Sequence, residues 1–345
     1  MTRPVFVLYR PWAPSVRAQT VQVLHAAHGL AAHRPVTVCV RPSEPTSAEA
    51  VLQHQGLSAR PGLRLHVLPA GGTASSLAFR AQLLAWRSGP GRQGVGLSRT
   101  PRYARWLQQL GRPVVVEAHG LADDADAEAR ALRSSCGLIC NSHGTLGRLR
   151  ARHGLLPPAQ VIANATRGPG PALTGPGEGI GYVGSVRTEK GLQVLADLAE
   201  QTSEPVVVVT PEPERARRLG AALQVEGPVP PHEVGARLSR FRVLVLPLEP
   251  GPFGDVETCP LKLFDYLASG RPVVLADTGA VRALVPAVVP AWVPRFRPGD
   301  TDSLRSAIAR ATSAPRVARF AARPLVRTWA DRAVEVHRAL ERWAP

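Results

Sequence analysis

The sequence predicts an α/β protein built from two doubly wound halves, each with a parallel sheet between layers of helices. Short, almost wholly apolar runs alternate with helix-length stretches along the 345 residues. This alternation is typical of parallel sheets whose strands are buried on both faces. The apolar runs form two series, and a stretch dense in Gly and Pro separates them. Since 345 residues are too many for one small core, we expect two domains.

The first series predicts five strands, and the second series predicts four. The first five are VFVLY (5–9), VTVCV (36–40), RLHVLP (64–69), PVVVEAH (113–119) and GLICNS (137–142). The other four are GIGYVG (179–184), PVVVVT (205–210), VLVLPL (243–248) and PVVLAD (272–277). Helices are predicted between them, for example at 15–33, 124–135 and 190–201.

The domain boundary is predicted at the Gly- and Pro-rich stretch 168–178, which reads as a linker between domains 1–167 and 179–324. The C-terminal stretch 325–345 contains apolar residues at positions 329, 333, 336, 340 and 343, the periodicity of a helix with one apolar face. Ligands of open parallel sheets bind at the carboxyl ends of the strands. Two such halves therefore predict one site in the cleft between them.

The net charge of +16 is concentrated in the first half of the chain. Residues 1–167 contain 20 arginines and only 7 acidic residues. A basic half attracts anionic partners such as a phosphorylated acceptor, an anionic membrane surface or nucleic acid. Scattered arginines and few aromatic residues disfavour nucleic acid. The stretch 99–112, which includes Tyr103 and Trp106, predicts either a membrane-facing helix or an ordinary amphipathic helix packed on the sheet.

The sequence carries only weak signals for export, membrane insertion and metal binding. The sequence contains no run of about 18 uncharged apolar residues, and its first apolar run is too short for a secretory signal. With four cysteines, we expect free thiols and a cytoplasmic protein, with attachment to the inner face of the cell membrane as an open alternative. D-x-D spacings occur at Asp124 and Asp300, but neither has a nucleotide-binding context, and we expect no required metal ion.

Lysine occurs only at positions 190 and 262, although the chain has 42 basic residues. Lys190 lies in GSVRTEKG (184–191), which joins a predicted strand to a predicted helix. Gly184 would permit a tight turn there. Arg187 and Lys190 would add charge to a helix N-terminus, which already favours anions. The segment therefore predicts a diphosphate site, and the alternative is a solvated surface turn.

The second lysine lies in ETCPLKLFDYLASGRPVV (257–274). Pro260 and Gly270 are expected to bound a helix, because proline suits a first turn and glycine a C-cap. Glu257 lies just before this helix and Asp265 lies inside it, eight positions later. Two carboxylates facing one ligand suit the hydroxyl groups of a sugar. The alternative for Asp265 is a surface ion pair with Lys262.

Together these two segments resemble the donor-binding domain of family-4 retaining glycosyltransferases, which have the GT-B fold. That family shows a strand followed by G-x-x-R/K-x-x-K-G and, downstream, Glu-x7-Glu, whose second acid is Asp265 here. The resemblance implies two Rossmann-like domains facing across a cleft, with the C-terminal helix crossing back to the first. It also implies a nucleoside-diphosphate sugar as co-substrate, without a cofactor or metal ion.

The resemblance assigns roles to residues of the second half. Arg187 and Lys190 would bind the diphosphate, Glu257 would contact the donor sugar, and Asp265 would hold the ribose hydroxyls. The other implied donor-binding residues are Gly184, Thr258, Leu261 and Lys262, with Gly227 and Val229 from a loop (225–234) that resembles the lining of the nucleobase.

In the first half, VVVEAHG resembles the strand end that places a histidine near the reacting centre, which is His119 here, with Glu117 two positions earlier. The segment VIANAT resembles the end of the acceptor domain, but Ala165 stands where the family has glycine, and the usual Gly-rich first loop is missing. The acceptor therefore stays unknown.

These observations predict a retaining glycosyltransferase, of the hexosyltransferase type, that acts in cell-envelope glycan, glycolipid or polysaccharide biosynthesis. Its predicted catalytic residues are His119, Glu257, Arg187 and Lys190. One alternative is a sugar-nucleotide epimerase or phosphorylase on the same fold. The other is a non-catalytic basic module that binds membrane or nucleic acid.

Overall fold

The computed structural model describes residues 2–70, 72–284, 293–313 and 326–344. The chain divides into two compact units. The first contains Met1–Ala163 and Trp329–Pro345, and the second is Asn164–Thr328. The stretch predicted to be a linker, 168–178, thus lies inside the second unit. Parts of the predicted segments, namely 285–292, 314–325 and 345, lie outside the described residues.

The described part of the first unit contains a seven-stranded parallel sheet in the order β3-β2-β1-β4-β5-β6-β7. The strands are β1 (Val5–Leu8), β2 (Val36–Val40), β3 (Leu63–Val67), β4 (Val95–Ser98), β5 (Val114–Ala118), β6 (Gly137–Cys140) and β7 (Ala159–Val161). Every residue of β1, β2, β4 and β6 is buried. Burial on both faces explains why most of these strands appear in the sequence as continuous apolar runs.

Helices cover this sheet, and the C-terminal helix (Trp329–Trp343) is one of them. The others are α1 (Ala18–Leu30), α2 (Ala48–His54), α3 (Gly72–Ser88), α4 (Pro101–Gln109), α5 (Ala125–Arg133) and α6 (His143–His153). The apolar face of the C-terminal helix, including Val336 and Leu340, joins the buried cluster formed by α1 and the strands. The prediction that this helix returns to the first domain is therefore confirmed.

The described part of the second unit contains a six-stranded parallel sheet in the order β10-β9-β8-β11-β12-β13. The strands are β8 (Ile180–Val183), β9 (Val206–Val209), β10 (Gln224–Glu226), β11 (Val243–Leu246), β12 (Val273–Ala276) and β13 (Arg295–Phe296). The helices are α7 (Gln193–Ala199), α8 (Pro213–Arg217), α9 (Val234–Leu238), α10 (Leu261–Ser269), α11 (Gly279–Ala283) and α12 (Thr301–Ser313).

In both sheets the chain starts at a central strand, winds outward in one direction and then returns to wind outward in the other. The order reverses between β1 and β4 in the first sheet, and between β8 and β11 in the second. The predicted α/β, doubly wound fold class is therefore confirmed, and these reversal points are where such sheets bind ligands. The nine predicted strands are all present, and β4, β7, β10 and β13 are additional.

Candidate functional site

The candidate site of the second unit lies at the carboxyl ends of β8 and β11, and Gly184 begins it. Gly184 directly follows β8 with φ 149°, a backbone conformation that favours glycine. A Cβ atom at this position would lie 1.8 Å from Cε of Lys262. The structure therefore brings together Gly184 and Lys262, and the side chain of the lysine occupies the space that glycine leaves.

Lys190 lies in a short 3₁₀ turn, Thr188–Lys190, and helix α7 starts only at Gln193. The prediction of a helix starting at position 190 is thus wrong, because Gly191 ends the 3₁₀ turn with φ 64°. A Cβ atom at Gly191 would lie 1.8 Å from the carbonyl oxygen of Pro247. This close approach packs the turn that carries Lys190 against the loop after β11.

Both lysines are held against aromatic rings and have lowered pKa values. The Lys190 Nζ atom lies 3.7 Å from the centre of the Phe253 ring, and the Lys262 Nζ atom lies 5.3 Å from that of Tyr182. Burial and then the charge of Lys262 lower the pKa of Lys190 to about 7. Burial and then the charge of Arg187 lower the pKa of Lys262 to about 8. An anion between these cations would stabilise both charged forms.

Arg187 precedes the 3₁₀ turn and extends into solvent, with its side chain 66% exposed. Its Nη1 atom lies 3.9 Å from Oε1 of Glu189, a distance at the limit of an ion pair. An exposed pair of this kind contributes little stability, so the guanidinium can turn toward a ligand at small cost. Its planar fork of donors suits two phosphate oxygens at once.

Glu257 ends a π-helical turn, Pro252–Glu257, that precedes α10, and its side chain is partly exposed. The N-cap residue of α10 is Pro260, which offers no side-chain hydrogen bond to the first turn, where Leu261 and Lys262 lie. Thr258 is different, because its backbone N–H already donates to the carbonyl oxygen of Phe253 at 3.0 Å. This N–H group is therefore already used, and the implied role of Thr258 in donor binding stays a prediction, as does that of the first turn of α10.

Asp255 fixes this turn, although nothing in the sequence distinguished it. Its carboxylate accepts hydrogen bonds from the backbone N–H groups of Gly279 at 2.8 Å and Gly251 at 2.7 Å. These two hydrogen bonds lower the pKa of Asp255. The carboxylate thereby ties the turn Pro252–Glu257, which follows β11, to the start of α11.

Asp265 is held by two neighbours that precede the first strand of its unit. Its Oδ1 atom accepts a hydrogen bond from the hydroxyl of Thr166 at 2.8 Å, and its Oδ2 atom accepts one from Arg167 at 3.2 Å. The structure thus pairs Asp265 with Arg167, and the expected alternative of a surface pair with Lys262 is wrong. Each carboxylate oxygen has two acceptor positions, so Asp265 keeps capacity for further hydroxyl groups.

The predicted nucleobase loop follows β10, and Gly227 and Val229 lie in it. Gly227 is exposed, and the space around it is open, since a Cβ atom there would meet nothing within 4 Å. The loop lies at the same edge of the sheet as the lysines, but β9 separates β10 from β8. These two residues are therefore at the periphery of the cationic site.

In the first unit, a buried polar network surrounds the strand end that carries His119. The Oε1 atom of Glu117 accepts hydrogen bonds from Gln22 at 2.7 Å, from Arg332 at 2.8 Å and from Nε2 of His119 at 2.8 Å. Burial raises the pKa of Glu117, but Arg332 and His119 outweigh it, and the pKa lies well below its usual range. Glu117 is therefore a buried carboxylate that stays charged.

His119 is neutral in this network. Burial and then the charge of Arg99 lower its pKa to about 4, and the hydrogen bond with Glu117 only partly opposes them. Donation from Nε2 to a carboxylate leaves Nδ1 as a hydrogen-bond acceptor. Sequence patterns singled out Glu117 and His119, but not Gln22 or Arg332, which lie 95 and 215 positions from Glu117.

Residues 177–313 match the sequence model of the family described as glycosyl transferases group 1. The chain is a glycosyltransferase. The match covers the part of the second unit that contains the paired lysines, Glu257 and Asp265. The predicted class of enzyme is therefore confirmed, and the proposal of a non-catalytic basic module is wrong.

Three solved structures show the fold of this glycosyltransferase. Sucrose-phosphate synthase from Thermosynechococcus elongatus is 18% identical with a TM-score of 0.67, over 99% of this chain and 96% of that chain. HepE from Anabaena, in complex with UDP and glucose, is 14% identical with a TM-score of 0.65, over 99% and 100%. A trehalose-phosphate synthase from Burkholderia xenovorans, in complex with glucose-6-phosphate, is 12% identical with a TM-score of 0.66, over 99% and 100%.

These similarities confirm the GT-B fold. No curated protein sequence matches the glycosyltransferase.

The two D-x-D spacings of the glycosyltransferase have local structural roles. Asp124 caps α5 by accepting a hydrogen bond from the N–H of Ala127 at 2.8 Å, and Asp300 accepts one from the N–H of Ser303 at 2.8 Å. Among the residues that the structure describes, no group of three or more His, Cys, Asp or Glu side chains is placed to hold a metal ion. None of the described helices is long and apolar enough to span a membrane.

Proposed function

We propose that this glycosyltransferase takes its sugar from a nucleoside-diphosphate donor and transfers it with retention of configuration, without a metal ion. The observation that carries the proposal is the pair of partly buried lysines at the carboxyl edge of β8, with Arg187 beside them. Anions are the ligands that lower the free energy of such a cation pair. UDP is the first nucleotide to test, because structures of the similar HepE contain UDP and UDP-glucose.

In this proposal, Lys190, Lys262 and Arg187 bind the diphosphate and stabilise the negative charge that develops on it as the bond to the sugar breaks. Positive groups that are already in place act most strongly at this stage, because they need no reorganisation. The acceptor hydroxyl then attacks from the face that the diphosphate leaves, so no nucleophilic side chain of the protein is needed.

The two carboxylates of the second unit are assigned to hydroxyl groups of the donor, and His119 of the first unit is considered by itself. Glu257 accepts hydrogen bonds from the sugar, and Asp265 accepts them from the ribose through the positions that Thr166 and Arg167 leave open. Neutral His119 accepts a hydrogen bond from a hydroxyl of a bound sugar through Nδ1. In this role Glu117 is a positioning residue, because it holds the imidazole ring and its proton without reaching the ligand.

A thermal-shift screen of UDP, GDP, ADP and TDP, each with and without a linked sugar, tests the proposal. A bound nucleotide raises the unfolding temperature in proportion to its occupancy. We expect one nucleotide series to stabilise the wild type, and Lys190→Ala to abolish this shift. If no nucleotide stabilises the wild type, the donor assignment is wrong.

Two further measurements test the stereochemistry and the class of reaction. The anomeric configuration of the product, measured by NMR, distinguishes retention from inversion. Incubation with the donor alone identifies the alternative of an epimerase, because an isomerised sugar nucleotide would then form without an acceptor.

A further inference from the structure

A second group of cations lies in the first unit and has no role in the donor site. It consists of Arg10, Arg17 and Arg41, which we call the arginine cluster. Arg10 and Arg41 follow the carboxyl ends of β1 and β2, and Arg17 immediately precedes α1. Among the described residues, no carboxylate forms an ion pair or a hydrogen bond with any of the three. The cluster is therefore positive charge that the described part of the protein does not neutralise.

Arg10 is the most buried member, with 9% of its surface exposed. It donates to the hydroxyls of Tyr103 at 3.0 Å, Ser75 at 3.2 Å and Ser76 at 3.2 Å. These three hydrogen bonds orient the guanidinium but carry no negative charge, and they use three of its five N–H groups. A buried cation without an anionic partner raises the free energy of the folded state, and a bound anion would lower it.

Arg41 is held beside Arg10 by its backbone and by its side chain. Its backbone forms a parallel bridge with Trp12, its Nε atom donates to the carbonyl oxygen of Arg10 at 3.2 Å, and its guanidinium lies 4.3 Å from the centre of the Trp12 ring. Burial and then the charges of Arg10 and Arg17 lower the pKa of Arg41. The two guanidinium groups are thus fixed close together despite their mutual repulsion.

The surrounding helices strengthen this positive field. Helices α1 and α3 begin next to the cluster, at Arg17 and near Ser75, and neither has an acidic residue in its first turn. A helix N-terminus stabilises a nearby anion and is usually supplied with acidic side chains of its own. Here both the helix ends and the arginines are left for a ligand.

We propose that the arginine cluster binds the phosphate group of a phosphorylated acceptor. This inference rests on the proposed function, since it names the class of substrate that would receive the sugar. Three arginines at one place suit the double charge of a phosphate monoester better than the single charge of a carboxylate. Trp12, which is 37% exposed beside Arg41, offers an apolar surface to the carbon skeleton that carries the phosphate.

A second basic region of the same unit provides a matched control. It is a groove of about 410 Å³ lined by Arg105, Arg112, Arg130 and Arg133 on and after helices α4 and α5. These arginines lie mainly at helix C-termini, where cations are favoured without any ligand. A variant at Arg133 therefore removes the same charge from the same unit without affecting the proposed site.

The test is calorimetric titration of wild type, Arg41→Gln and Arg133→Gln in saturating UDP, which occupies the donor site. The probes are glucose 6-phosphate, inositol 1-phosphate and glycerol 3-phosphate, each compared with its unphosphorylated form. We expect a phosphorylated probe, and not its neutral form, to bind the wild type. Arg41→Gln should weaken it about tenfold or more, as for the loss of a charged hydrogen bond, and Arg133→Gln should leave it unchanged.

Sedimentation with phosphatidylcholine vesicles, with and without phosphatidic acid, distinguishes a lipid from a free phosphorylated compound. The inference is supported if a phosphorylated compound or the phosphatidic acid vesicles bind the wild type, Arg41→Gln weakens this binding, and Arg133→Gln does not. It is overturned if no phosphorylated compound or vesicle binds, or if both variants weaken binding equally. The affinity for UDP is measured in the same samples and separates the two proposals. If the donor assignment is wrong, UDP does not bind the wild type.

Discussion

Lys190 and Lys262 reach one edge of the second sheet from different segments, and burial controls the charge of both. The pKa of Lys190 falls to about 7 and that of Lys262 to about 8. Near neutral pH the free enzyme therefore holds a mixture of charged and neutral lysines. A bound diphosphate favours the charged forms, so binding of the donor and uptake of protons are linked.

The affinity for UDP-glucose is accordingly expected to fall as the pH rises above about 7, because a neutral Lys190 must first gain a proton. The decrease ends where the pKa of the lysine in the complex is reached. Calorimetry at pH 8 in buffers of different ionisation enthalpy should detect this proton uptake. Lys190→Arg is the matched control, since arginine stays charged and should remove the part of the pH dependence near 7. A pH-independent affinity in the wild type would contradict the assignment.

At the scale of secondary-structure elements, the network around Glu117 joins α1, β5 and the C-terminal helix. Gln22 lies on α1 and Arg332 on the C-terminal helix, and both donate to the same carboxylate oxygen. Glu117 is 3% exposed and Arg332 is 1% exposed. A helix from the far end of the chain thus determines the ionisation of a strand residue and, through it, the orientation of His119.

Arg332→Met should destabilise the protein by about 3 to 5 kcal/mol, because removal of one partner leaves a buried carboxylate without its main counter-charge. Urea unfolding of the full chain measures this change. The double variant Glu117→Gln with Arg332→Met should recover part of the loss, since the remaining amide is neutral. Equal stabilities of the single and double variants would show that the ion pair does not determine the effect.

Most elements were predictable because their residues are buried on both faces, as in β2 and β9, where apolar runs are unbroken. β4 was not predictable in this way, because Gly96 and Ser98 interrupt its apolar residues. The start of α7 was misplaced because a 3₁₀ turn ends at Gly191, before the helix begins. Gly191 packs against Pro247, which lies more than fifty positions away in the sequence, so this contact could not be predicted from the local sequence.

At the scale of the whole molecule, lysine and arginine are distributed differently between the two units. Both lysines lie in the second unit at the proposed donor site, whereas the arginine cluster lies in the first. In the proposed donor site, three positive side chains, Arg187, Lys190 and Lys262, would provide the charge that a divalent cation supplies in other phosphate-binding sites.

Transfer of the sugar should therefore continue unchanged after dialysis against EDTA. A coupled assay for release of the nucleoside diphosphate measures it, with Lys190→Ala as the control that removes protein charge instead. A loss of turnover that Mg²⁺ or Mn²⁺ restores would contradict this expectation.

The donor site was more predictable than the polar network of the first unit, because its residues lie close to one another within short segments of the sequence. Lys190, Glu257 and Asp265 belong to short segments whose spacing is visible in the sequence. By contrast, the partners of Asp265 and Glu117 lie 98 and 215 positions away, and only folding brings them together. The arginine cluster was visible only as an excess of charge, because Arg10 and Arg41 become neighbours through the pairing of β1 with β2.

The contact of Gly184 with Lys262 has a consequence for how this site can evolve. A side chain at position 184 would collide with the lysine, so the first mutation of Gly184 is harmful while Lys262 remains. A shorter residue at position 262 would remove the collision, but it would also give up a cation. Gly184 is therefore expected to be replaced only in descendants that have already lost Lys262, and even there its φ of 149° continues to favour glycine.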